Sequence, residues 1–220
     1  FDKATELKPD YEKAWLDKGN ILMSVGKVDD ALMSFNKALS SNVRNEKTWL
    51  SVGQTLHSMG KHKEAVASLD KAIAIKPDNE KAWLEKGLAL HDLGSNDPAI
   101  QALNKALALK PDLHKAWFGK GIAYADMAEY EDALECMEKA ISLKEDDDRS
   151  YSEKGRALAF LGRWDASKAS FDKALELNHN NHEAWYYRAQ LLVKEGNKEE
   201  ALKAFDKAIE VKGDYSNALY

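Results

Sequence analysis

Apolar positions along this chain fall at helical spacing. Trp15, Gly19 and Leu22 stand at i, i+4 and i+7 and share one helix face. Ala31, Phe35, Ala38 and Leu39 mark a second apolar face a short way on. The spacing predicts one helix from about Glu12 to Val25 and another from about Asp29 to Ser41. Gly26 lies between them, where glycine can take the left-handed conformation that ends a helix. No segment alternates with period two, so no strand is expected. In a later copy, Asp97 and Pro98 read as an N-cap followed by proline at the first helical position. Pro77 and Pro111 are expected to stop second helices.

The pattern then repeats. Trp15, Trp49, Trp83, Trp117, Tyr151 and Trp185 are each 34 residues apart. Four residues after each comes Gly19, Gly53, Gly87, Gly121, Gly155 and finally Ala189. A bulky apolar residue recurs in the second helix as Phe35, Leu69, Leu103, Met137, Phe171 and Phe205. The repeats are therefore placed at 12–45, 46–79, 80–113, 114–147, 148–181 and 182–215. Residues 1–11 match the end of a preceding repeat, and 216–220 the start of a further one. The chain from 1 to 220 is thus expected to be a single array cut from a longer one. One repeat cannot bury its apolar face alone, so neighbours must stack. Glycine inside a helix costs roughly 1 kcal/mol against alanine, which makes sense if a second helix crosses closely there.

These positions carry a resemblance over the whole chain to the tetratricopeptide repeat (TPR) family. The resemblance implies an all-α, right-handed superhelix of stacked antiparallel helix pairs. It also implies a concave groove, lined by first helices, that binds a peptide or a partner protein. Several departures stand out. Leucine before the mid-helix glycine is replaced by Lys18, Lys86, Lys120, Lys154 and Arg188, whose stems can cover apolar surface. Ala128 replaces the turn glycine of the fourth repeat, and Ser167 replaces a small alanine in the fifth. Proline between repeats is missing at Val43, Glu145, His179 and Gly213.

Family geometry points the second, fifth, sixth, ninth, twelfth and thirteenth residues of each repeat toward the groove. The fifth row reads Leu16, Leu50, Leu84, Phe118, Ser152 and Tyr186. The ninth reads Asn20, Gln54, Leu88, Ile122, Arg156 and Gln190. An apolar ligand strip is expected around Leu84, Leu88, Phe118 and Ile122, extended by Leu16 and Leu50; packing between neighbours is the competing reading. The second row is basic, but Lys13, Lys81 and Arg149 each have an acidic residue four positions on. Lys47 and Lys115 are then the freer charges and join the candidate groove set with Arg156, Tyr186 and Gln190. A chaperone-tail clamp needs lysine in the fifth row, and none is there.

Composition narrows the function class. One cysteine excludes an internal disulfide framework and a cysteine-only zinc site. A net charge of −5 argues against nucleic-acid binding by bulk charge. No apolar run reaches the ~18 residues that would span a bilayer, and no signal-peptide pattern is present. A cytoplasmic protein without membrane or nucleic-acid partners is expected. His57 and His91 occupy one groove position in adjacent repeats, with Asp92 and Asp126 nearby. They read as solvated groups, so neither metal nor cofactor is expected. Glu145–Asp148 reads as an acidic helix start, and Cys136 as a small packing residue. Gly119-Lys120-Gly121 lacks the rest of a phosphate loop, and no catalytic constellation is found. The expectation is a non-catalytic scaffold that binds a protein or peptide in its groove. The alternatives are a substrate-recruiting portion of a larger enzyme, such as a glycosyltransferase, and an array that associates weakly end to end.

Overall fold

A computed structural model describes residues 11–217. Among the described residues there are twelve helices and no strand. First helices of the repeats are α1 (Glu12–Ser24), α3 (Glu46–Ser58), α5 (Glu80–Asp92), α7 (His114–Asp126), α9 (Asp148–Phe160) and α11 (His182–Lys194). Second helices are α2 (Val28–Ser41), α4 (His62–Ile75), α6 (Asn96–Leu109), α8 (Tyr130–Leu143), α10 (Trp164–Leu177) and α12 (Lys198–Asn217). The helices form two compact units, one up to Ala116 and the other from Trp117. In the first unit α1–α2, α3–α4 and α5–α6 pack as pairs, and α2–α3 and α4–α5 join them. In the second, α9–α10 and α11–α12 pair, and α8–α9 and α10–α11 join successive repeats. Each unit is all-α and built of stacked helix pairs, as the resemblance implies.

The mid-helix glycines explain the pairing. A Cβ on Gly155 would stand 2.6 Å from the Phe171 ring, and one on Gly87 2.6 Å from Leu103 Cγ. Phe35, Leu69, Leu103, Met137 and Phe171 are almost wholly removed from solvent against this glycine row. Repeat six has Ala189 instead, and its Phe205 is only half-buried. In the turns, Gly26, Gly60, Gly94, Gly162 and Gly196 have φ between 72° and 81°. Ala128 adopts φ 61° at the same place, so the backbone keeps the turn without the residue that favours it.

Caps follow a rule of their own. Asn45, Asn79, Asp147 and Asn181 precede first helices, and their side chains accept from backbone N–H groups of the first turn. Asp147 thus gives the acidic run a capping role. Asp97 is not the N-cap: α6 begins at Asn96 with Ser95 as cap, and Asp97 lies in the first turn beside Pro98. There the carboxylate complements the helix dipole instead. Lys76 and Lys110, before Pro77 and Pro111, are extended. Asn42, Lys144 and Asn178 are just as extended where proline is missing. At Gly213 the helix is not stopped, and α12 continues to Asn217. Ser216 and Asn217, expected to open a further repeat, therefore lie in α12. Residues 218–220, and residues 1–10 of the expected preceding repeat, lie outside the described residues.

The basic substitutions before the glycine row tie repeats together. Lys86 pairs with Asp70 at 2.6 Å, Lys154 with Glu138 at 3.0 Å and Arg188 with Asp172 at 2.7 Å. Each partner is sixteen residues earlier, on the second helix of the preceding repeat. Lys18, Lys86, Lys120 and Arg188 also sit 5.3–5.9 Å above the aromatic ring three residues before them. The indole Nε1 of Trp49, Trp83 and Trp185 donates to the carbonyl six residues earlier. Ser167 is fully buried, and its hydroxyl donates to the Gly155 carbonyl at 2.7 Å, satisfying the group that replaces alanine.

Candidate functional site

The predicted groove residues divide by exposure. In the first unit Leu16 is 9 % exposed and Leu84 7 %, so both are largely withdrawn from solvent. Leu16 joins a buried cluster with Val52 and Leu56 of the following repeat. Leu50 and Leu88 are half-buried, and Lys47 and Lys115 exposed. Asn20 is exposed and accepts from the Ser51 hydroxyl at 3.3 Å, while Gln54 donates to Glu85 at 2.8 Å. Glu85 is thus engaged by Gln54, and by His57 at 3.9 Å, rather than by Lys81 four residues before it.

In the second unit Phe118 and Ile122 are half-buried, and the Arg149 guanidinium lies 4.8 Å over the Phe118 ring. Glu153, expected to face Arg149, pairs with Arg156 at 2.7 Å. Burial pushes the Glu153 carboxyl above its ordinary value, and the Arg156 charge opposes that. Tyr186 is exposed, with its ring edge-on to Tyr187 at 5.3 Å and Phe205 at 5.9 Å. Gln190 is also exposed.

Arg156 and Gln190 come together at an open hollow of about 390 Å³. Its walls are Phe160, Trp164, Tyr187, Leu191, Val193 and Phe205, and Lys194 stands at its margin. Most of these residues occupy sixth, ninth, twelfth or thirteenth positions of repeats five and six. Phe160, Trp164 and Val193 are exposed large apolar groups outside the groove set expected from the sequence. The signal for Phe160 was present in the thirteenth row, where Ser24, Ser58, Asp92 and Asp126 give way to phenylalanine.

One contact recurs at this end of the helix pairs. The first residue of a second helix meets the last residue of the next first helix, thirty positions on. Tyr130 stacks on Phe160 with centroids 4.4 Å apart and planes 2° apart. Lys194 stands 3.7 Å over the Trp164 ring. In the first unit the same two positions hold His62 and Asp92. His57 Nε2 lies 2.7 Å from Asp92 Oδ2, and His91 Nδ1 lies 3.2 Å from Asp92 Oδ1. The Glu85 carboxylate first, and then that of Asp92, hold the His57 imidazole above its ordinary value against the effect of burial. Burial works to raise both carboxyls, but hydrogen bonding and charge, chiefly from His57, hold Glu85 and Asp92 below their ordinary values. The sequence pointed to His57, His91 and Asp92 but not to His62, which sits on the next helix.

Tetratricopeptide repeat profiles match residues 12–42, 114–147 and 152–217, and a TPR repeat profile matches 53–94 and 87–128. A solved structure of MamA protein is 30% identical, with TM-score 0.68 over 77% of this chain and 92% of that one. The chain belongs to the tetratricopeptide repeat family. YrrB, described as a TPR protein with an unusual peptide-binding site, is similar to this TPR chain at 24% identity and TM-score 0.65, covering 84% of this chain and 95% of that one. A structure of the APC/C hetero-tetramer Cut9-Hcn1 is similar at 16% identity and TM-score 0.81, over 96% of this chain and 42% of that one. These two likenesses concern the fold. No curated protein matches the chain. The TPR fold supports a protein-interaction role. No described helix is long and apolar enough to cross a membrane.

Proposed function

We propose that this chain is a non-catalytic interaction module and that the aromatic hollow of repeats five and six takes a bulky apolar side chain from a peptide segment of a partner protein. The observation that carries the reading is the grouping of Phe160, Trp164 and Val193, exposed together around one cavity. Grouped exposed apolar surface marks interaction sites, whereas single exposed apolar residues do not. Arg156, Gln190 and Lys194 supply the polar margin that orients a bound segment. The peptide-binding site described for YrrB is consistent with this use of the fold. Leu50, Leu88, Phe118, Ile122, Lys47, Lys115, Asn20, Gln54 and Tyr186 remain proposed contacts along the same set of rows.

The test is selection of a peptide library on the protein, compared with a Val193→Asp variant. Selected peptides should share a large aliphatic or aromatic residue. Burying such a group contributes ~1.5–3 kcal/mol, so the variant should bind them roughly 10- to 100-fold more weakly. Equal affinity for both proteins refutes the site.

A second reading, association between copies, has its own observation. Leu202 and Ile209, seven residues apart on α12, are 64 % and 69 % exposed. Their counterparts Ile100, Leu107, Leu134 and Leu175 are buried by packing. Sedimentation of the protein and of Leu202→Asp tests this: a dimer that the substitution dissociates supports it, and a strict monomer refutes it.

A further inference from the structure

We propose that His57, His62 and Asp92 form a binding site for one zinc ion. The three residues come from separate helices of the first unit: the penultimate residue of α3, the first of α4 and the last of α5. Their donor atoms all lie within 4.8 Å of one another. Zinc holds imidazole nitrogen and carboxylate oxygen at about 2.0–2.2 Å, so two donors of a tetrahedral ion stand roughly 3.3 Å apart. His57 Nε2 and Asp92 Oδ2 are in direct hydrogen bond at 2.7 Å, a contact that an ion held by both would replace. The His57 and His62 rings are 5.2 Å apart and inclined at 71°, so their faces do not stack. Holding one ion draws donors now up to 4.8 Å apart closer together, and the partial exposure of this end of the helix pairs leaves the side chains room to rotate.

His62 supplies an independent observation. Its Nδ1 is buried and has no hydrogen-bond partner in the structure. Buried polar atoms are ordinarily paired, and a metal satisfies a lone imidazole nitrogen without a donor. An ion pair between His57 and Asp92 alone gives His62 no part to play.

The surroundings also suit a metal. Ligating histidines commonly turn their second nitrogen to a carboxylate, which fixes the tautomer and raises basicity. Glu85 Oε2 stands 3.9 Å from His57 Nδ1, and Gln54 holds the other Glu85 oxygen at 2.8 Å. The second oxygen of Asp92 faces His91 Nδ1 at 3.2 Å. Two imidazoles and one carboxylate favour zinc over calcium or magnesium, which need more oxygen ligands. A fourth position is left for water or for a group from a bound partner.

The test uses protein without a histidine tag, stripped with EDTA and titrated with Zn²⁺ by calorimetry. Titration with Co²⁺, followed by visible absorption, reports coordination geometry. One ion per chain is expected, with a tetrahedral or five-coordinate cobalt spectrum. His57→Gln, His62→Gln and Asp92→Asn should each weaken binding more than ~10-fold, and Glu85→Gln should weaken it ~10-fold through His57. His114→Gln and His182→Gln should bind as the parent does. Far-UV circular dichroism in EDTA checks that every variant is folded. The absence of saturable 1:1 binding overturns the proposal. Parent-like affinity in His62→Gln also overturns it, because the histidine–aspartate pair alone would then account for the geometry.

Discussion

Gly155→Ala sets two physical effects against each other. Helix propensity favours the change by ~1 kcal/mol, since alanine is the better helix former. Packing opposes it. The new Cβ would meet Cε1, Cδ1 and Cζ of Phe171 at 2.6, 2.8 and 2.9 Å. Ordinary contact begins near 3.4 Å, so the ring must retreat by roughly 0.8 Å. Phe171 has nowhere to go: it is fully buried, with the Tyr187 ring stacked 6.0 Å away. The backbone of α9 is held as well, because Ser167 donates to the Gly155 carbonyl at 2.7 Å. Overpacking of this kind costs ~1–3 kcal/mol, and weakening that hydrogen bond adds ~1 kcal/mol. The expected outcome is a net loss of about 1–3 kcal/mol. Gly121→Ala is the control. Its nearest neighbour is Met137 Cε, the free end of a flexible chain, so its loss should be distinctly smaller. Repeat arrays unfold in sections, so urea unfolding should be read alongside hydrogen exchange of α9 and α10. If Gly155→Ala equals or exceeds the parent in stability, propensity has won and the close crossing is not what requires glycine.

Ala128→Gly should stabilise the protein by about 0.5–1 kcal/mol in a thermal melt: relief of the left-handed alanine outweighs the entropy glycine adds to the unfolded chain. With EDTA present, the stability difference between the parent and His57→Gln should depend on pH. The raised His57 contributes fully below its ordinary value of 6.5 and fades as pH rises through its folded value; the lowered Glu85 and Asp92 contribute above their ordinary 4.5 and 3.8 and fade as pH falls through their folded values. The difference should therefore peak between about pH 4.5 and 6.5, and a flat profile would contradict the pairing. Burial pushes the Cys136 thiol up to about 11, so a thiol reagent at neutral pH should modify it only after unfolding. Trp83→Ala should lower stability by ~3 kcal/mol, since it empties a large packing position and frees the Pro77 carbonyl; a loss under ~1 kcal/mol would count against the packing role.

Helix positions were legible because the signals are local. The tryptophan, glycine and alanine rows describe one helix pair, and the structure builds those pairs as read. Exposure was less legible because it depends on a neighbour 30 or more residues away. Leu16 and Leu84 share the fifth row with Tyr186, yet they are buried and it is not. The ion pairs between repeats could have been found. Asp70, Glu138 and Asp172 each precede their basic partner by sixteen positions, whereas Asn36 and Asn104 stand at that place before Val52 and Lys120. His62 could not be joined to Asp92 from a single helix face, because the contact needs the second helix of one repeat and the first helix of the next.

The contact between the start of a second helix and the end of the next first helix carries a tyrosine–phenylalanine stack, a tryptophan–lysine pair and a histidine–aspartate pair on one backbone geometry. It therefore works as a socket whose contents can be exchanged while the glycine-centred packing stays intact. A Tyr130→His, Phe160→Asp replacement, with Ala125→His supplying the third donor, would transplant the proposed metal ligands to the second unit. Successive repeats could then be programmed one at a time to answer to different chemical signals.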